Sequence, residues 1–448
     1  MLARRSDRRG VHLPLRADAR RAVHRTLTLG ALSACTLLAS GVAHATAAEV
    51  FEIGPRGRAF AGAGQSLDAG YESAFTNPAA LAFAARPELT LGYSATHFAL
   101  SVGRQGQGVP VTAPGSGGVL FGFVLPLHVL KEPWVLGFAS QSPSNYIARA
   151  TLPLSESPQF PLLVPQSQAL DFDLGLGVSV WPWLKLGAGL RALAALHGTV
   201  QVSPSSAGTA TAANDTLDPR FAPNFAALWS PSELDALALS FHGALRADFD
   251  MELSATNLGA TTLPPLHIAG VAAYDPAQLA LEYRHRFGEL TLLGGLAYQR
   301  WSSFPNLLAA TTSCPPSRPN CAALPAEPSH FHDTWQPHLA AEYRVRLRRS
   351  AIGRLRAGYA YQRSPIPEQT AASNELDADR HVFGLGYGIE LSAPLAPVSV
   401  DLGCELHELV TRSEHKQPSV APDNPGFPAL SVGGHAESCA LSVGVRLQ

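Results

Sequence analysis

The chain has 448 residues, of which 46% are hydrophobic and only 15% are charged, and its formal net charge is −2. About a quarter of the residues are charged in a typical globular protein, so this chain has no large basic or acidic surface with which to bind nucleic acid. Nucleic-acid binding is therefore excluded. Gly and Pro (39 and 36 residues) show no three-residue period, which excludes a collagen-like chain.

Residues 1–45 have the features of a cleaved secretory signal. Eight arginines lie before residue 26, and an uncharged, mostly apolar stretch follows and ends in Ala43-His44-Ala45 and Ala45-Thr46-Ala47, either of which fits a cleavage site. No charged stop follows, so removal is favoured over retention as a transmembrane helix. A lipoprotein signal at Leu32-Ser33-Ala34-Cys35 is less favoured, because the apolar run continues past the cysteine.

Beyond residue 45, no window resembles the roughly 20 apolar residues of a membrane-spanning helix. The recurring pattern is instead an alternation with a period of two. Every even position of Asp171–Val180 is large and apolar, whereas every odd position is Asp, Gly or Ser. Such segments predict strands with one apolar and one polar or small face. The same pattern recurs in residues 184–191, 338–348, 383–391, 398–406 and 441–448.

A soluble β-sandwich also alternates, so three further features distinguish the two folds. The polar faces are rich in Gly and carry charges of both signs, which suits the lumen of a barrel. Aromatic residues such as Trp181, Trp183 and Tyr359 gather near strand ends, as in interfacial girdles, and the connections alternate between short and long. The sequence therefore predicts an all-β transmembrane antiparallel β-barrel of about 14 strands over residues 87–448, with an ambiguous strand count in residues 266–301.

Residues 46–86 do not alternate. The run from Gly54 to Leu81 contains small residues in short helical stretches that Gly and Pro interrupt. A connection of this length is usually either functional or disordered. Because small residues allow close packing against a lumen wall, this segment is predicted to be a hatch, or plug, inside the barrel.

At this point the sequence resembles the FadL/TodX family of outer-membrane transporters for long-chain fatty acids and other hydrophobic compounds. The resemblance lies in the run Arg58–Gly64 and in Phe75-Thr76-Asn77-Pro78-Ala79-Ala80-Leu81, which is similar to the family's Tyr/Phe-x-Asn-Pro-Ala-Gly-Leu. Later stretches agree in order, so the resemblance covers essentially all of the mature chain. These stretches are residues 263–265, 271–274, 300–304, 355–359, 364–367 and 376–383.

The resemblance implies passive, gated uptake of a hydrophobic small molecule, first of all a long-chain fatty acid, with sideways release through the barrel wall. It also implies the outer membrane of a Gram-negative bacterium, contact with outer-membrane lipid, insertion by the barrel-assembly machinery, a monomer, and no cofactor. A path shielded from water is physically reasonable, because each exposed CH₂ costs about 0.8 kcal/mol. The alternatives are a structural or secretion-associated barrel without transport and an outer-membrane lipid hydrolase, for which no nucleophile motif is present.

The resemblance also assigns the gating residues Gly62, Gly64, Asn77, Pro78 and Ala79. Proline fixes φ and asparagine can bond its own backbone, which suits the moving part of a hatch. The alternative is an ordinary turn.

Two arginines on the predicted lumen face, Arg354 and Arg356, are candidates for contact with a ligand carboxylate, because the guanidinium offers a bidentate fork. A network of arginines and carboxylates on the wall near a short turn is the favoured interpretation.

Cys314 and Cys321 lie in a Pro-rich loop, where a disulfide is predicted in an oxidising compartment. Cys404 and Cys439 lie on the outward faces of consecutive strands, so both a cross-strand disulfide and independent thiols are open. No metal site is predicted, because the histidines near residues 330–338 lack ligand spacing.

Overall fold

The computed structural model describes residues 48–67, 70–129, 132–144, 157–164, 171–205, 208–255, 266–304, 308–312, 329–392 and 397–447. The predicted signal, residues 1–45, lies outside the described residues, and so do Cys314 and Cys321. The predicted domain boundaries therefore stay predictions.

The chain from Glu88 onwards forms one antiparallel sheet, with a single parallel strand pairing that is described below. Its strands are β1 (Glu88–Arg104), β2 (Gln107–Val109), β3 (Ser116–Val129), β4 (Glu132–Pro143), β5 (Asp171–Trp181), β6 (Leu184–Ser205), β7 (Gly208–Trp229), β8 (Asp235–His242), β9 (Leu245–Ala255), β10 (Leu266–Asp275), β11 (Ala277–Phe287), β12 (Leu290–Arg300), β13 (Leu308–Thr312), β14 (Thr334–Arg348), β15 (Ala351–Gln362), β16 (Arg380–Leu391), β17 (Val398–His415) and β18 (Ala429–Arg446).

Fourteen of these strands form a closed barrel, which confirms the predicted fold. The barrel is closed by β1, which is hydrogen-bonded to β3 on one edge and to β18 on the other. The four strands outside the ring are β2, β9, β10 and β13. In the ambiguous region, residues 278–287 belong to a strand of their own, β11.

The connections after β3, β5, β7, β11, β14 and β16 are short and lie at the barrel end where β1 begins and β18 ends. We call this the short-turn end and the opposite end the long-loop end. Alternation of short and long connections follows the sequence prediction.

The barrel turns an apolar face outward. Leu385, Leu339 and Phe221 are 69%, 64% and 63% exposed, and they alternate along their strands with buried residues. An apolar surface of this extent is not stable in water and marks contact with lipid. Two indoles at the β5–β6 turn, Trp181 and Trp183, stack with their ring centroids 5.0 Å apart, as expected of an interfacial girdle.

The segment 48–83, which we call the hatch, packs against the inner face. It contains α1 (Ala48–Phe51), α2 (Pro55–Phe60), α3 (Ser73–Thr76) and 3₁₀ turns at Gly70–Glu72 and Pro78–Phe83, and a further 3₁₀ turn, Trp301–Ser303, follows β12. No helix among the described residues is long and apolar enough to cross a membrane.

Inward-facing glycines provide the seat of α2. A Cβ at Gly403 would lie 1.7 Å from the Pro55 carbonyl oxygen, and one at Gly384 would lie 2.4 Å from that of Arg58. At Gly358 the added atom would lie 2.2 Å from the carbonyl carbon of Phe60. The Gly-rich inner face is therefore the surface that lets the hatch backbone approach the wall.

Substituting Leu385 with arginine tests whether the outward face contacts lipid. We expect Leu385→Arg to lower the free energy of unfolding in a bilayer by about 2–4 kcal/mol, because the residue lies in the middle of β16. Leu234→Arg, in the β7–β8 turn, is the matched control and should cost at most about 1 kcal/mol. Urea titration of the barrel in lipid vesicles measures both, and equal costs would contradict a lipid-facing position for Leu385.

Candidate hatch and wall seam

Helix α2 is held in place by two buried charged residues, Glu72 and Arg58. The Glu72 carboxylate accepts hydrogen bonds from the backbone N–H groups of Arg56 (3.2 Å) and Gly57 (2.9 Å) at the helix start. The side chain of Arg58 is fully buried and donates from Nε to Ser438 Oγ of β18 (3.0 Å) and from Nη2 to Gln141 Oε1 of β4 (3.3 Å). The helix is thereby tied to two strands of the wall, β18 and β4.

The following turn is clamped by a single carboxylate of the wall. Glu282 of β11 accepts hydrogen bonds from the backbone N–H groups of Gly64 (2.7 Å) and Ser66 (2.8 Å) and from the Ser66 hydroxyl (2.5 Å). Gly64 has a φ of +107° and Gly62 has a φ of +83°, a region that favours glycine. These two predicted gating residues therefore shape the turn that Glu282 holds.

Asn77 joins two parts of the hatch. Its Nδ2 donates to the Gln65 carbonyl (2.7 Å), and its Oδ1 accepts from the Ala79 N–H (3.0 Å) at the start of the 3₁₀ turn that opens with Pro78. Ala79 is fully buried against β6, where a Cβ at Gly187 would lie 2.1 Å from the Ala79 nitrogen. The predicted Asn-Pro-Ala element is thus a capped turn docked on the wall.

The ring of Phe75 lies between a cation and an imidazole of the wall. The Arg191 guanidinium carbon is 4.8 Å from the ring centroid, and the His242 ring is 5.3 Å away. Arg191 Nη2 is 2.7 Å from Asp275 Oδ2, and its Nε is 3.3 Å from Asp173 Oδ1. One hatch side chain therefore contacts residues of β6 and β8, and through Arg191 it is linked to β5 and β10.

The strand pairing of the wall is interrupted close to Phe75, on its long-loop side. The pairing of β7 with β8 ends at Asn224 and His242, and beyond it β9 pairs in parallel with β6, from Leu196 opposite Phe249 onwards. On the long-loop side of Asn224, no strand pairs with this edge of β7 in the described part of the wall. A single backbone hydrogen bond lies there, from the Gly243 N–H to the Pro223 carbonyl (2.8 Å). We call this interruption the wall seam.

A buried apolar cluster lies at the wall seam, with side chains from β6, β7, β9 and β10. Arg191 and Asp275, which form a buried ion pair, lie opposite Ala222 and Leu245 in register. The cluster consists of Leu193, Ala222, Leu245, Ala247 and Ala273.

Two further apolar clusters lie towards the long-loop end. The hatch-side cluster includes Val50, Phe51, Phe98, Phe160, Leu163, Leu376, Ala378 and Leu409. The aromatic cluster includes Leu162, Val271, Tyr274, Trp301, Phe304, Phe331 and Ile366. The segment 157–164 contributes side chains to both, so it joins them, and together they lead from the loops to the first helix of the hatch.

The two arginines considered for a ligand carboxylate are engaged with the wall. Arg354 Nη1 and Arg356 Nε donate to the two oxygens of Glu342 (2.8 and 2.9 Å), and Arg356 Nη1 donates to Asp401 Oδ1 (2.5 Å). This arrangement is the wall network that the sequence analysis favoured.

Cys404 and Cys439 lie directly opposite each other in the β17–β18 register and form a disulfide on the outward face. Among the described residues, no group of three or more His, Cys, Asp or Glu side chains has the arrangement of a metal site.

The sequence analysis did not single out Glu72 of the hatch, nor the wall residues Glu282, Arg191 and Asn224 that contact the hatch. Asn224 Nδ2 donates to the Phe75 carbonyl (2.8 Å). The signal of the wall residues in the sequence is the alternation that puts them on the inward face, as Glu282 lies between the outward Leu281 and Tyr283. That signal identifies the face but not the partner.

The loop residue Glu375 supplies a pH dependence. Burial raises the pKa of its carboxyl to about 7, from an ordinary value of 4.5. Between these values the folded loop holds a proton that the unfolded loop releases, so stability of the loop falls as the pH rises from 4.5 to 7. We expect amide protection of residues 368–378, corrected for intrinsic exchange, to be lower at pH 8 than at pH 5. Glu375→Gln should reduce the difference and the exposed Glu408→Gln should retain it in full; an undiminished difference in Glu375→Gln would assign it to another group.

Comparison with known proteins identifies a matching family and solved structures of similar fold. The family model of outer membrane protein transport proteins (OMPP1/FadL/TodX) matches residues 168–447. A FadL homologue of Pseudomonas aeruginosa superposes with a TM-score of 0.57 at 15% identity, over 91% of this chain and 99% of that chain. The toluene transporter TodX of P. putida gives 0.53 at 14% identity, over 88% and 98%.

The toluene transporter TbuX of Ralstonia pickettii gives a TM-score of 0.50 at 14% identity, over 89% of this chain and 100% of that chain. No curated protein sequence matches the chain. At these identities, similarity to the solved structures shows the fold alone. The family model matches more than half of the chain, and the protein therefore belongs to the OMPP1/FadL/TodX family of outer membrane transport proteins.

Proposed function

We propose that the protein takes up hydrophobic small molecules, long-chain fatty acids first among them, by passive, gated diffusion across the outer membrane of a Gram-negative bacterium. In this proposal the short-turn end faces the periplasm and the long-loop end faces outward. The observation that carries the proposal is the position of the hatch, which packs on the inner wall and is held there by buried polar contacts. A ligand then passes only when the hatch moves.

The apolar clusters at the long-loop end support a hydrophobic ligand. A fatty chain that follows them stays out of water, which is worth about 0.8 kcal/mol per CH₂. The wall seam supports sideways release into lipid, because the edge of β7 on the long-loop side of Asn224 has one backbone hydrogen bond in the described structure, whereas the other edges of the ring have a strand ladder.

A neutral aromatic hydrocarbon is the second candidate ligand. The aromatic cluster favours it: the Phe304 and Phe331 rings stack at 4.4 Å, and Tyr274 meets Phe304 edge-on at 5.0 Å. Two structures of similar fold are described as a toluene transporter and a monoaromatic hydrocarbon channel. We also propose a monomer, inserted by the barrel-assembly machinery, because the described ring closes within one chain.

A reversible lock on the hatch tests the gating. Ala61 of the hatch and Ala360 of β15 lie in one buried cluster, so Ala61→Cys/Ala360→Cys should form a disulfide on oxidation. In cells that lack their own fatty-acid transporter, we expect the wild type to restore uptake of labelled oleate. The oxidised lock should reduce uptake at least about tenfold, and reductant should restore it.

The control for this lock is Leu293→Cys/Ala340→Cys, which links two strands that are already paired. The control and the wild type should transport equally with and without reductant. No uptake of oleate or toluene by an assembled wild-type barrel would contradict transport and favour a structural role, whereas full uptake through the locked hatch would contradict gating.

The wall seam is tested by the same design. Ala222 of β7 and Leu245 of β9 belong to the seam cluster, so Ala222→Cys/Leu245→Cys should close the seam when it is oxidised. If the ligand leaves sideways here, oxidation should block uptake of oleate and reductant should restore it, although the hatch is free. Unchanged uptake with a disulfide verified by mass spectrometry would exclude the seam as the exit.

A further inference from the structure

The turn between β14 and β15 carries a dense group of arginines, which we call the turn arginines. They are Arg344, Arg346, Arg348 and Arg349, and all four side chains are exposed. No acidic residue occurs between Glu342 and Glu368 in the sequence. Because the formal net charge of the whole chain is −2, this group is a local concentration of positive charge at the short-turn end.

The turn arginines have no acidic partner in the described part of the chain. No carboxylate there forms an ion pair with any of the four. The next arginines of the same hairpin differ, because Arg354 and Arg356 are 2.8 and 2.9 Å from the two oxygens of Glu342. Each guanidinium has five N–H donors. Pairing within the wall thus satisfies Arg354 and Arg356 and leaves the turn arginines for an external anion.

The hairpin extends past its neighbour in the wall. β12 pairs with β14 only as far as Tyr343, which lies opposite Leu290. One further backbone bond runs from the Arg344 N–H to the Glu289 carbonyl (2.9 Å). Beyond that bond, no described strand pairs with this edge of β14. A long arginine side chain on the inward face of the hairpin therefore reaches round the free edge to the outer side.

The outer side of the hairpin places the turn arginines beside the lipid. Tyr343 and Leu347 face outward on β14, as Leu355 does on β15, and these side chains are 49%, 47% and 50% exposed. Leu347 lies between Arg346 and Arg348 in the sequence. The apolar outer surface therefore continues to the arginines, so the boundary between hydrocarbon and headgroups lies at their level.

The chemistry of the surroundings selects the anion. A guanidinium binds phosphate through two parallel hydrogen bonds, and clustered arginines beside a membrane attract anionic headgroups. A soluble acidic protein would meet only the charge. A phospholipid meets both parts of the surface, because its phosphate reaches the arginines while its acyl chains lie on Tyr343 and Leu347.

We propose that the turn arginines bind the phosphate groups of anionic phospholipids, with the acyl chains against Tyr343 and Leu347. The barrel then collects these lipids at one part of its circumference, next to β14. This inference goes beyond the proposed function and does not depend on the molecule that is transported. It requires only that the outward face of the hairpin contacts lipid.

The lipids that stay with the barrel test the proposal. The full barrel is assembled in nanodiscs of phosphatidylglycerol and phosphatidylcholine in equal amounts, isolated in mild detergent, and its retained lipids are quantified by mass spectrometry. We expect the wild type to retain phosphatidylglycerol over phosphatidylcholine by about fivefold or more, because only the first lipid has a net negative charge. Arg346→Gln/Arg348→Gln/Arg349→Gln should retain the two lipids in about equal amounts.

A matched control removes the same charge elsewhere. Arg104→Gln/Arg220→Gln/Arg363→Gln replaces three arginines at the long-loop end and should retain phosphatidylglycerol as the wild type does. Heat-modifiable gel migration verifies that each variant is assembled. Arg348→Gln/Arg349→Gln replaces the triple variant if that variant does not assemble, and it should lower the preference at least about twofold.

Equal retention of the two lipids by the wild type would overturn the proposal. So would an equal loss of preference in the turn variant and in the control, because it would reflect net charge and not this site. A fluorescent polyglutamate peptide probes the other occupant: if it binds the wild type and not the turn variant, while phosphatidylglycerol is not enriched, the surface belongs to an acidic protein and the proposal is wrong.

Discussion

Every backbone polar group that passes through lipid must find its partner within the chain. The described ring meets this requirement by the β1–β18 pairing, which leaves neither terminal strand with a free edge. The long strands β6 and β7 also meet this requirement, because their backbones stay paired with each other as a hairpin over their whole length. At the wall seam the chain leaves the edge of β7, with which β8 pairs, and β9 then pairs with the edge of β6. The wall seam lies where hatch and wall are in contact through Phe75.

The hatch is attached to the wall by buried apolar clusters and, in addition, by a small number of directional polar contacts. Carboxylates of Glu72 and Glu282 accept from backbone N–H groups, and Arg58 reaches two strands. A hydrogen bond is lost over a small displacement, whereas apolar burial falls gradually with the area exposed. The polar contacts therefore fix the position of the hatch more sharply than the apolar contacts do.

The alternating pattern was sufficient to predict the barrel and the inward face of its strands. In β5 and β16 the small or polar residues are those that face the hatch, because a period of two fixes the side of each residue. The ordered small residues and the Asn-Pro-Ala element likewise predicted a compact segment inside the lumen. Disulfide pairing of Cys314 with Cys321 lies outside the described residues and stays a prediction.

Partners across the lumen could not be predicted in this way. Alternation does not say which residue of another strand lies opposite, so the contact of Arg191 with Asp275 has no local signal. Before β9 leaves β7, the alternation of buried and exposed residues shifts by one residue at Gly243 and Ala244. In the sequence this shift looks like an ordinary irregularity of a strand.

The glycine seats have a consequence for how this sequence can vary. At Gly403, Gly384 and Gly358 even alanine would overlap the backbone of α2. The helix cannot withdraw without losing its backbone bonds to Glu72 and the bonds of Arg58 to the wall. Substitution of these three glycines is therefore strongly restricted, because any side chain there would overlap the hatch. The shape of the barrel interior thus depends on positions that carry no side chain.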